Sequence, residues 1–595
     1  MLDKKEDGGL KTAVKALRFF VRLAAKHKPS QLVYTILYSL TKAALPFVGV
    51  LLPKLVLDEL SGPKDPVRLL LYAVAAAGVS ALCYLLSETL RLRVERGGIL
   101  LESTLDKLLG EKTCSMDYQY LEDPESLTIL QRARQGRVTR GGMYAVMVWH
   151  LPNTLTNLFT CLGMLWVVAQ LDWWVLALLL LCVAANLLLL RKNSDAANTF
   201  MMRMGDFNRM FAYLYLLATD FSNGKDIRLF HTAPMIQARL REYNGKVVEV
   251  EKESYLVMCR CGALQALLAQ AQLGLVYVSL LVQVFQNGLS IGDFVMFAAA
   301  ASSFATSLTA TFSEATQSLL TARMIAPYRQ FLRLKDRMPK AEGSVDGQVQ
   351  ALRFENVSFR YPRAQAPTLR HLNLTLKKGQ RLAVVGENGA GKTTMIKLLL
   401  RLYDPDEGRI LLGDRDIREL SPQEYAEQFS VVFQDFKLFA FSVRENICLG
   451  REEQERLDRV LAQTGLDELL AGYEKGVDTS VYKQFDEKGV EFSGGERQKI
   501  AIARALYKDA PIVVMDEPTA ALDPIAEEEI YNQLNNLIHG RTALFISHRL
   551  SSCKFCDEVA VFQEGRVVEQ GSHEDLMKEE GLYRRMFTAQ SKYYV

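Results

Sequence analysis

The sequence predicts a multi-domain membrane protein in which a six-helix all-α transmembrane domain is followed by an α/β domain of P-loop type. Three observations carry that prediction. Six long apolar stretches lie before residue 320, a complete G-x-x-x-x-G-K-[ST] loop spans Gly386 to Thr393, and charge divides unevenly between the two parts. Residues 1–340 hold 38 Lys and Arg against 27 Asp and Glu, whereas residues 341–595 hold 33 against 41. The near-neutral total of +3 therefore hides a basic, apolar part joined to an acidic part of ordinary composition, as expected of a membrane unit fused to a soluble one. Nothing in this balance indicates nucleic acid as a partner.

Crossing a bilayer core takes about 20 apolar residues in a helix. The stretches 31–56, 68–90, 143–169, 173–190, 260–286 and 291–318 meet that length. Ahead of them, residues 1–30 are charged and amphipathic (Lys4, Lys5, Lys11, Lys15, Arg18, Arg22), which reads as a helix on the inner membrane surface and not as a cleavable signal. Three connections between spans are short and contain only Lys64 as a basic residue, while the N-terminal segment and the two long connections are rich in Arg and Lys (Arg91, Arg132, Arg191, Arg203). The positive-inside rule then predicts a multi-pass protein of the cell membrane with both termini and both long connections cytoplasmic. Each long connection runs roughly fifty to seventy residues, too many for a compact turn. The spans are therefore expected to continue as helices into the cytoplasm and turn at tips near Tyr120–Glu125 and Asn223–Asp226.

Two spans are polar. Gln265, Gln272 and Gln283 lie within about 20° of one another at helical spacing. In the sixth span Ser302, Thr306, Thr309, Ser313 and Thr316 form one stripe and Ser303, Ser307, Thr311 and Ser318 a second. Such stripes face either a polar cavity for a transported substrate or closely packed neighbours. The length of Gln favours a cavity for the first, and the small Ser and Thr side chains favour close packing for the others. Lys42, His150 and Glu314 are ionisable groups within or beside spans. For His150 and Glu314 the plain alternative to a function is a place at the inner interface; for Lys42 it is a buried carboxylate partner or snorkelling. Cys553 and Cys556 form one C-x-x-C without the further ligands of a zinc site, so a structural role is expected.

The loop Gly386-Glu387-Asn388-Gly389-Ala390-Gly391-Lys392-Thr393-Thr394 follows an apolar strand (Leu382–Val385) and opens a helix. That setting is what ATP binding by such a loop requires: backbone N–H groups hold the phosphates, Lys392 reaches the terminal ones and Thr393 ligates Mg2+. A second apolar strand, Ile512–Met515, ends in Asp516, a further Mg2+ contact, and Glu517, placed to take a proton from an attacking water. His548 follows a third strand, Ala543–Ile546, and pairs with Glu517 as the second catalytic residue through the γ-phosphate.

Phe492-Ser493-Gly494-Gly495-Glu496 resembles the signature motif of ATP-binding cassette (ABC) proteins, and the whole chain is similar to their type IV exporter half-transporters. The resemblance implies a cytoplasmic segment at 1–30, a membrane domain at 31–325, a linker at 326–348 and an ABC nucleotide-binding domain at 349–595. It makes Tyr361 the aromatic stacked on adenine, Gln434 the residue that senses Mg2+ and water, Ala521-Leu522-Asp523 the D-loop and Ser547-His548-Arg549 the switch region. It also implies a second half-transporter, identical or different, whose ATP is met by Ser493, Gly494 and Gly495. The chain departs from the family's usual Leu and Gln at Phe492 and Glu496, and offers Lys483–Gly489 where a Thr-Glu-Val-Gly-Glu-Arg-Gly segment is usual. The expected function is ATP-hydrolysing export of a peptide, lipid or amphipathic small molecule by alternating access. A cassette-regulated channel or signalling protein is the alternative, against which intact Glu517 and His548 weigh.

Overall fold

The computed structural model describes residues 10–138, 142–171, 173–336, 338, 341–345, 351–517, 540–547 and 550–591. The chain divides into two compact units, one formed by the chain up to Ser115 with Glu125–Leu334, the other by Met116–Pro124 with the chain from Lys335 onward.

In chain order the helices before residue 335 are α1 (Leu10–His27), α2 (Pro29–Ser61), α3 (Pro66–Ser115), α4 (Tyr118–Glu122), α5 (Pro124–Val138), α6 (Gly142–Val168), α7 (Trp173–Thr219), α8 (Gly224–Leu229), α9 (Ala233–Asn287) and α10 (Ile291–Leu332). Among the described residues six helices are long and apolar enough to cross a membrane, and they contain the six stretches read from the sequence. Their polar continuations make α3, α7 and α9 helices of 50, 47 and 55 residues. At ~1.5 Å per residue such helices run more than twice the ~30 Å of a bilayer core. Gly288, at φ 67°, ends α9 in the left-handed conformation that glycine adopts without strain. Ser290 then caps α10 by accepting from the Asp293 amide at 2.9 Å. Lys54 of α2 pairs with Asp293 at 2.5 Å, which ties this short connection to the first span.

Among the described residues the two larger apolar cores of the membrane unit are distinct. One joins Val50, Met164, Val168, Leu179, Leu280 and Phe304; the other joins Phe20, Leu101, Leu105, Met143, Met147 and Tyr328. The second core takes in the apolar stripe of the N-terminal helix. Ala13, Ala16, Phe20 and Ala24 of α1 are at most 1% exposed, so the apolar stripe is covered by the bundle itself. The turn Ala145–His150 within α6 is a π-helix, the widened form that carries one extra residue per turn. It ends at His150, whose Nδ1 lies 2.8 Å from Glu314 Oε2 on α10, so these two ionisable groups hold each other. Lys42 donates to the Tyr38 hydroxyl at 3.1 Å instead of meeting a carboxylate.

The second unit contains β1 (Ala351–Phe359), β2 (Leu369–Lys377), β3 (Arg381–Gly386), α11 (Lys392–Leu399), β4 (Glu407–Leu412), β5 (Arg415–Asp416), β6 (Phe429–Val432), α12 (Val443–Cys448), α13 (Gln454–Thr464), α14 (Gly494–Lys508), β7 (Ile512–Asp516), β8 (Thr542–Ile546), β9 (Glu558–Gln563) and β10 (Arg566–Gly571). An antiparallel sheet has the order β2-β1-β4-β5 and a larger sheet the order β10-β9-β3-β8-β7-β6. In the larger sheet β9, β3, β8, β7 and β6 run parallel, and β3 and β7 read as unbroken apolar runs because both faces are covered. The helical part around α12–α14 has its own core of Val443, Ile447, Leu457, Val481, Phe492 and Ile500. Cys553, fully buried beside Val559 and Tyr583, has its thiol pushed up to about 12 by burial, and among the described residues no cluster of metal ligands surrounds it.

The tip of the first long connection belongs to this unit. Tyr120 donates to the Lys335 carbonyl at 2.7 Å, and the Met338 amide donates to Asp117 at 3.0 Å. Glu122 accepts from Lys397 and Tyr403, each at 2.6 Å, and from Tyr118 at 3.0 Å. Burial raises its pKa, but these donors outweigh burial and hold the carboxyl below its ordinary value. Glu122→Ala should therefore lower stability by about 1–2 kcal/mol, and Glu122→Gln, which keeps an acceptor, by less. In calorimetry of the full chain in detergent this is a drop of about 2–4 °C per kcal/mol in the cassette transition; no shift in the alanine variant would mean the contact carries no stability.

Candidate nucleotide site

Parallel sheets bring ligands to the carboxyl ends of their strands, and β3 and β7 end at the same edge, separated by β8. From β3 the chain turns through Gly386-Glu387-Asn388-Gly389-Ala390-Gly391 into α11. Gly389 and Gly391 take φ of 81° and 104°, and a Cβ at Gly391 would sit 2.7 Å from Leu369 Cδ2. A side chain there would close the narrow wrap of the loop. Lys392, 6% exposed, donates to the Gly386 carbonyl at 2.6 Å and the Glu387 carbonyl at 3.0 Å. Burial pulls its pKa down, and Glu517 and Asp516 oppose that pull. Thr393 is exposed on the first turn of α11, and Thr394 is buried with its hydroxyl 3.2 Å from that of Tyr361.

Asp516 is the most constrained group of the site. It is 2% exposed, and its Oδ1 has no hydrogen-bond partner among the described residues. Burial, then the neighbouring Glu517 charge, push its pKa to about 6. A carboxylate oxygen buried without a donor suits a hard divalent cation, which accepts oxygen ligands and supplies the missing positive charge. Next to it Glu517 sits at φ 49°, with its amide donating to the Ile546 carbonyl at 3.0 Å. This backbone turn aims the side chain at Gln434, whose Nε2 donates to Glu517 Oε2 at 2.8 Å. Gln434 and Glu517, 83 residues apart, thus meet, with Lys392 and Asp516 coupled to Glu517 by charge.

On the other side of the loop Tyr361 packs edge-on against Phe359 and Tyr403, with ring centroids 5.1 and 5.5 Å away. Lys397 lies over the Tyr361 ring at 5.5 Å while its amine holds Glu122. Sequence reasoning placed Glu122 in the tip of the first long connection but did not single out Lys397 or Tyr403 as its partners. Their spacing follows no motif, and only the fold brings residue 122 beside residue 397.

Ser493 begins α14 in a reciprocal capping box, with Glu496 N donating to Ser493 Oγ at 3.4 Å and Ser493 N donating to Glu496 Oε2 at 2.7 Å. Glu at this position therefore does the capping work that Gln would do. Phe492 is 5% exposed and packs edge-on against Tyr473 at 5.7 Å, so the second departure is an exchange of core residues. Among the described residues no hydrogen bond or ion pair joins Ser493, Gly494 or Gly495 to Lys392 or Asp516 of the same chain. In the Lys483–Gly489 segment Asp486 accepts from Lys475 at 2.7 Å and Ser480 at 3.1 Å, and Phe485, 82% exposed, stacks on Phe441. His548, Arg549 and Ala521-Leu522-Asp523 lie outside the described residues.

The family model for ABC transporters matches residues 369–520. Over 264 residues the chain is 40% identical to the subtilin transport ATP-binding protein SpaT of Bacillus subtilis, covering 43% of this chain and 42% of that one. Over 235 residues it is 41% identical to the ATP-dependent lipid A-core flippase of Cupriavidus metallidurans, covering 39% of each. The matches thus span about two fifths of the length of these relatives. A solved bacterial Atm1-family ABC exporter with ATP bound shares the fold at a TM-score of 0.78 and 24% identity, covering 97% of this chain and 99% of that one. Residues 369–520 thus carry a domain that matches the ABC transporter family model, and the chain as a whole shares the fold of the solved exporter, with six helices long and apolar enough to cross a membrane ahead of that domain.

Proposed function

We propose that the chain hydrolyses ATP to export a peptide, lipid or amphipathic small molecule from the cytoplasmic side, working as one half of a dimer by alternating access. The observation that carries this reading is the buried Asp516 carboxylate, whose Oδ1 meets no donor among the described residues, beside Lys392 and the Gln434–Glu517 pair, on a chain with six helices long and apolar enough to span a membrane. Relatives named for subtilin transport and for lipid A-core flipping support export of a large or amphipathic cargo. The basic long connections support cytoplasmic termini and a cytoplasmic nucleotide domain.

In this reading the loop amides and Lys392 bind the phosphates, Tyr361 offers its ring to the base, and Thr393, Gln434 and Asp516 hold Mg2+. The cation when bound neutralises phosphate charge. Glu517, oriented by Gln434, takes a proton from the attacking water, and His548 contacts the terminal phosphate. Ser493, Gly494 and Gly495 serve the nucleotide of the second half-transporter, so two chains close around two nucleotides. ATP must favour the closed pair over the open one, and its cleavage removes that preference.

Glu517→Gln should reduce turnover by roughly 10²- to 10⁴-fold while nucleotide binding persists. In sealed vesicles it should also stop ATP-dependent solute movement; ATP-gated passive ion conductance without movement against a gradient would instead favour a channel. Sharing of sites has a separate test. Assemblies of Lys392→Ala chains alone, or of Ser493→Arg chains alone, should be inactive. A mixed assembly of the two regains one intact site and measurable turnover if two copies of this chain pair head to tail. Mixing without recovery would point to a different partner chain or to sites complete within one chain.

A further inference from the structure

Within the membrane unit α7, α9 and α10 line an open cavity of about 610 Å³, inside the ~300–1,000 Å³ range of ligand pockets. Its polar lining includes Asn186, Gln265, Gln272, Thr306, Thr309 and Ser313. This corrects two expectations: Ser302, Thr306, Thr309 and Ser313 line the cavity where close packing was expected of both Ser/Thr stripes, and Gln283 does not line it where a cavity was expected of the whole Gln stripe. Gln265 and Gln272 face the cavity together with one Ser/Thr stripe of α10, whereas Ser307 and Ser318 of the other stripe are buried in packing at 8% and 5% exposure. Gln283, 7% exposed, is not part of the lining.

Two features of the lining point to a ligand. Gln272 is only 8% exposed and has no hydrogen bond among the described residues, and Asn186 Oδ1 is shut from solvent without a partner. Buried carboxamides left unmade are costly, so they are groups that wait for a ligand's donors and acceptors. The second feature is charge. No Lys, Arg, His, Asp or Glu is among the lining residues, and Arg191 and Arg260, close in sequence to Leu190 and Gln265, are outside it. Thr306 already donates to the Ser302 carbonyl at 2.8 Å, which leaves its oxygen as an acceptor.

We propose, resting on the export reading above, that this cavity takes an uncharged stretch of peptide. A carboxamide presents one acceptor and a pair of donors in a plane, the complement of a backbone amide, which offers one N–H and one C=O. An anionic phosphoglycolipid would bring its charges into a lining with no cation to meet them, which disfavours it. The cargo is therefore a peptide that presents neutral polar residues at this depth.

The test is equilibrium binding to the full chain in nanodiscs, without ATP, of a fluorescent N-acetylated, C-amidated peptide of Gln, Asn, Ser and Leu. The neutral peptide should bind at least tenfold tighter than the same peptide with Gln residues replaced by Glu. Gln272→Leu and, at a less buried position, Gln265→Leu should each weaken it about tenfold, and Thr316→Val, outside the lining, should not. Ser313→Lys should reverse the preference toward the Glu-containing peptide. Equal or tighter binding of the Glu peptide to the wild type, or displacement by a phosphoglycolipid at lower concentration than by the neutral peptide, overturns the proposal. Turnover and its loss in Glu517→Gln are measured separately. A chain that hydrolyses ATP but ignores the neutral peptide defeats only the cargo assignment, and a chain whose turnover ignores Glu517→Gln defeats the export reading itself.

Discussion

A carboxylate kept out of water costs free energy unless something positive meets it. Asp516 is held in that position by the end of β7, a strand buried along its whole length, and it lacks a donor for Oδ1. The sheet order places β7 beside β8 and β8 beside β3, so this carboxylate and the loop that carries Lys392 open at one edge. The cost of isolating Asp516 is borne by the apolar packing of β3, β7 and β8, whose side chains are almost all buried.

How much of this was legible in the sequence depended on the range of the signal. The spans were readable because a bilayer demands an unbroken apolar length, and the phosphate loop because strand, glycines and Lys follow within a dozen residues. The reach of α3, α7 and α9 beyond the spans followed from connection length alone. What stayed hidden were pairings between distant residues that no period announces. His150 with Glu314, Gln434 with Glu517 and Glu122 with Lys397 are 164, 83 and 275 residues apart. In α1 the hydrophobic stripe states that a face must be covered, but not that Leu101, Met143 and Tyr328 are what covers it.

The polar stripes show the same limit from another side. Periodicity put Gln265, Gln272 and Gln283 on one face, yet a helix of 55 residues crosses several environments along that face. Gln265 and Gln272 meet the cavity, and Gln283, about three turns further on, is buried elsewhere. Residue size also decides less than position. Thr306 and Ser307 are adjacent and similar in size, but 100° of helical rotation puts one in the cavity wall and the other in packing.

The tip Met116–Pro124 gives the cassette unit a link that depends on one lysine. Lys397 extends from α11, the helix that the phosphate loop opens, with its amine on Glu122 and its charge over the Tyr361 ring. Tyr361 in turn touches Thr394 on the first turn of the same helix. Two of these contacts are directional hydrogen bonds and one is a cation–π contact, and the three converge on the helix that begins at Lys392, directly after the glycine loop. A shift of α11 therefore cannot leave Glu122 where it is without breaking its charge-assisted hydrogen bond to Lys397, and that obliges the tip to follow the loop.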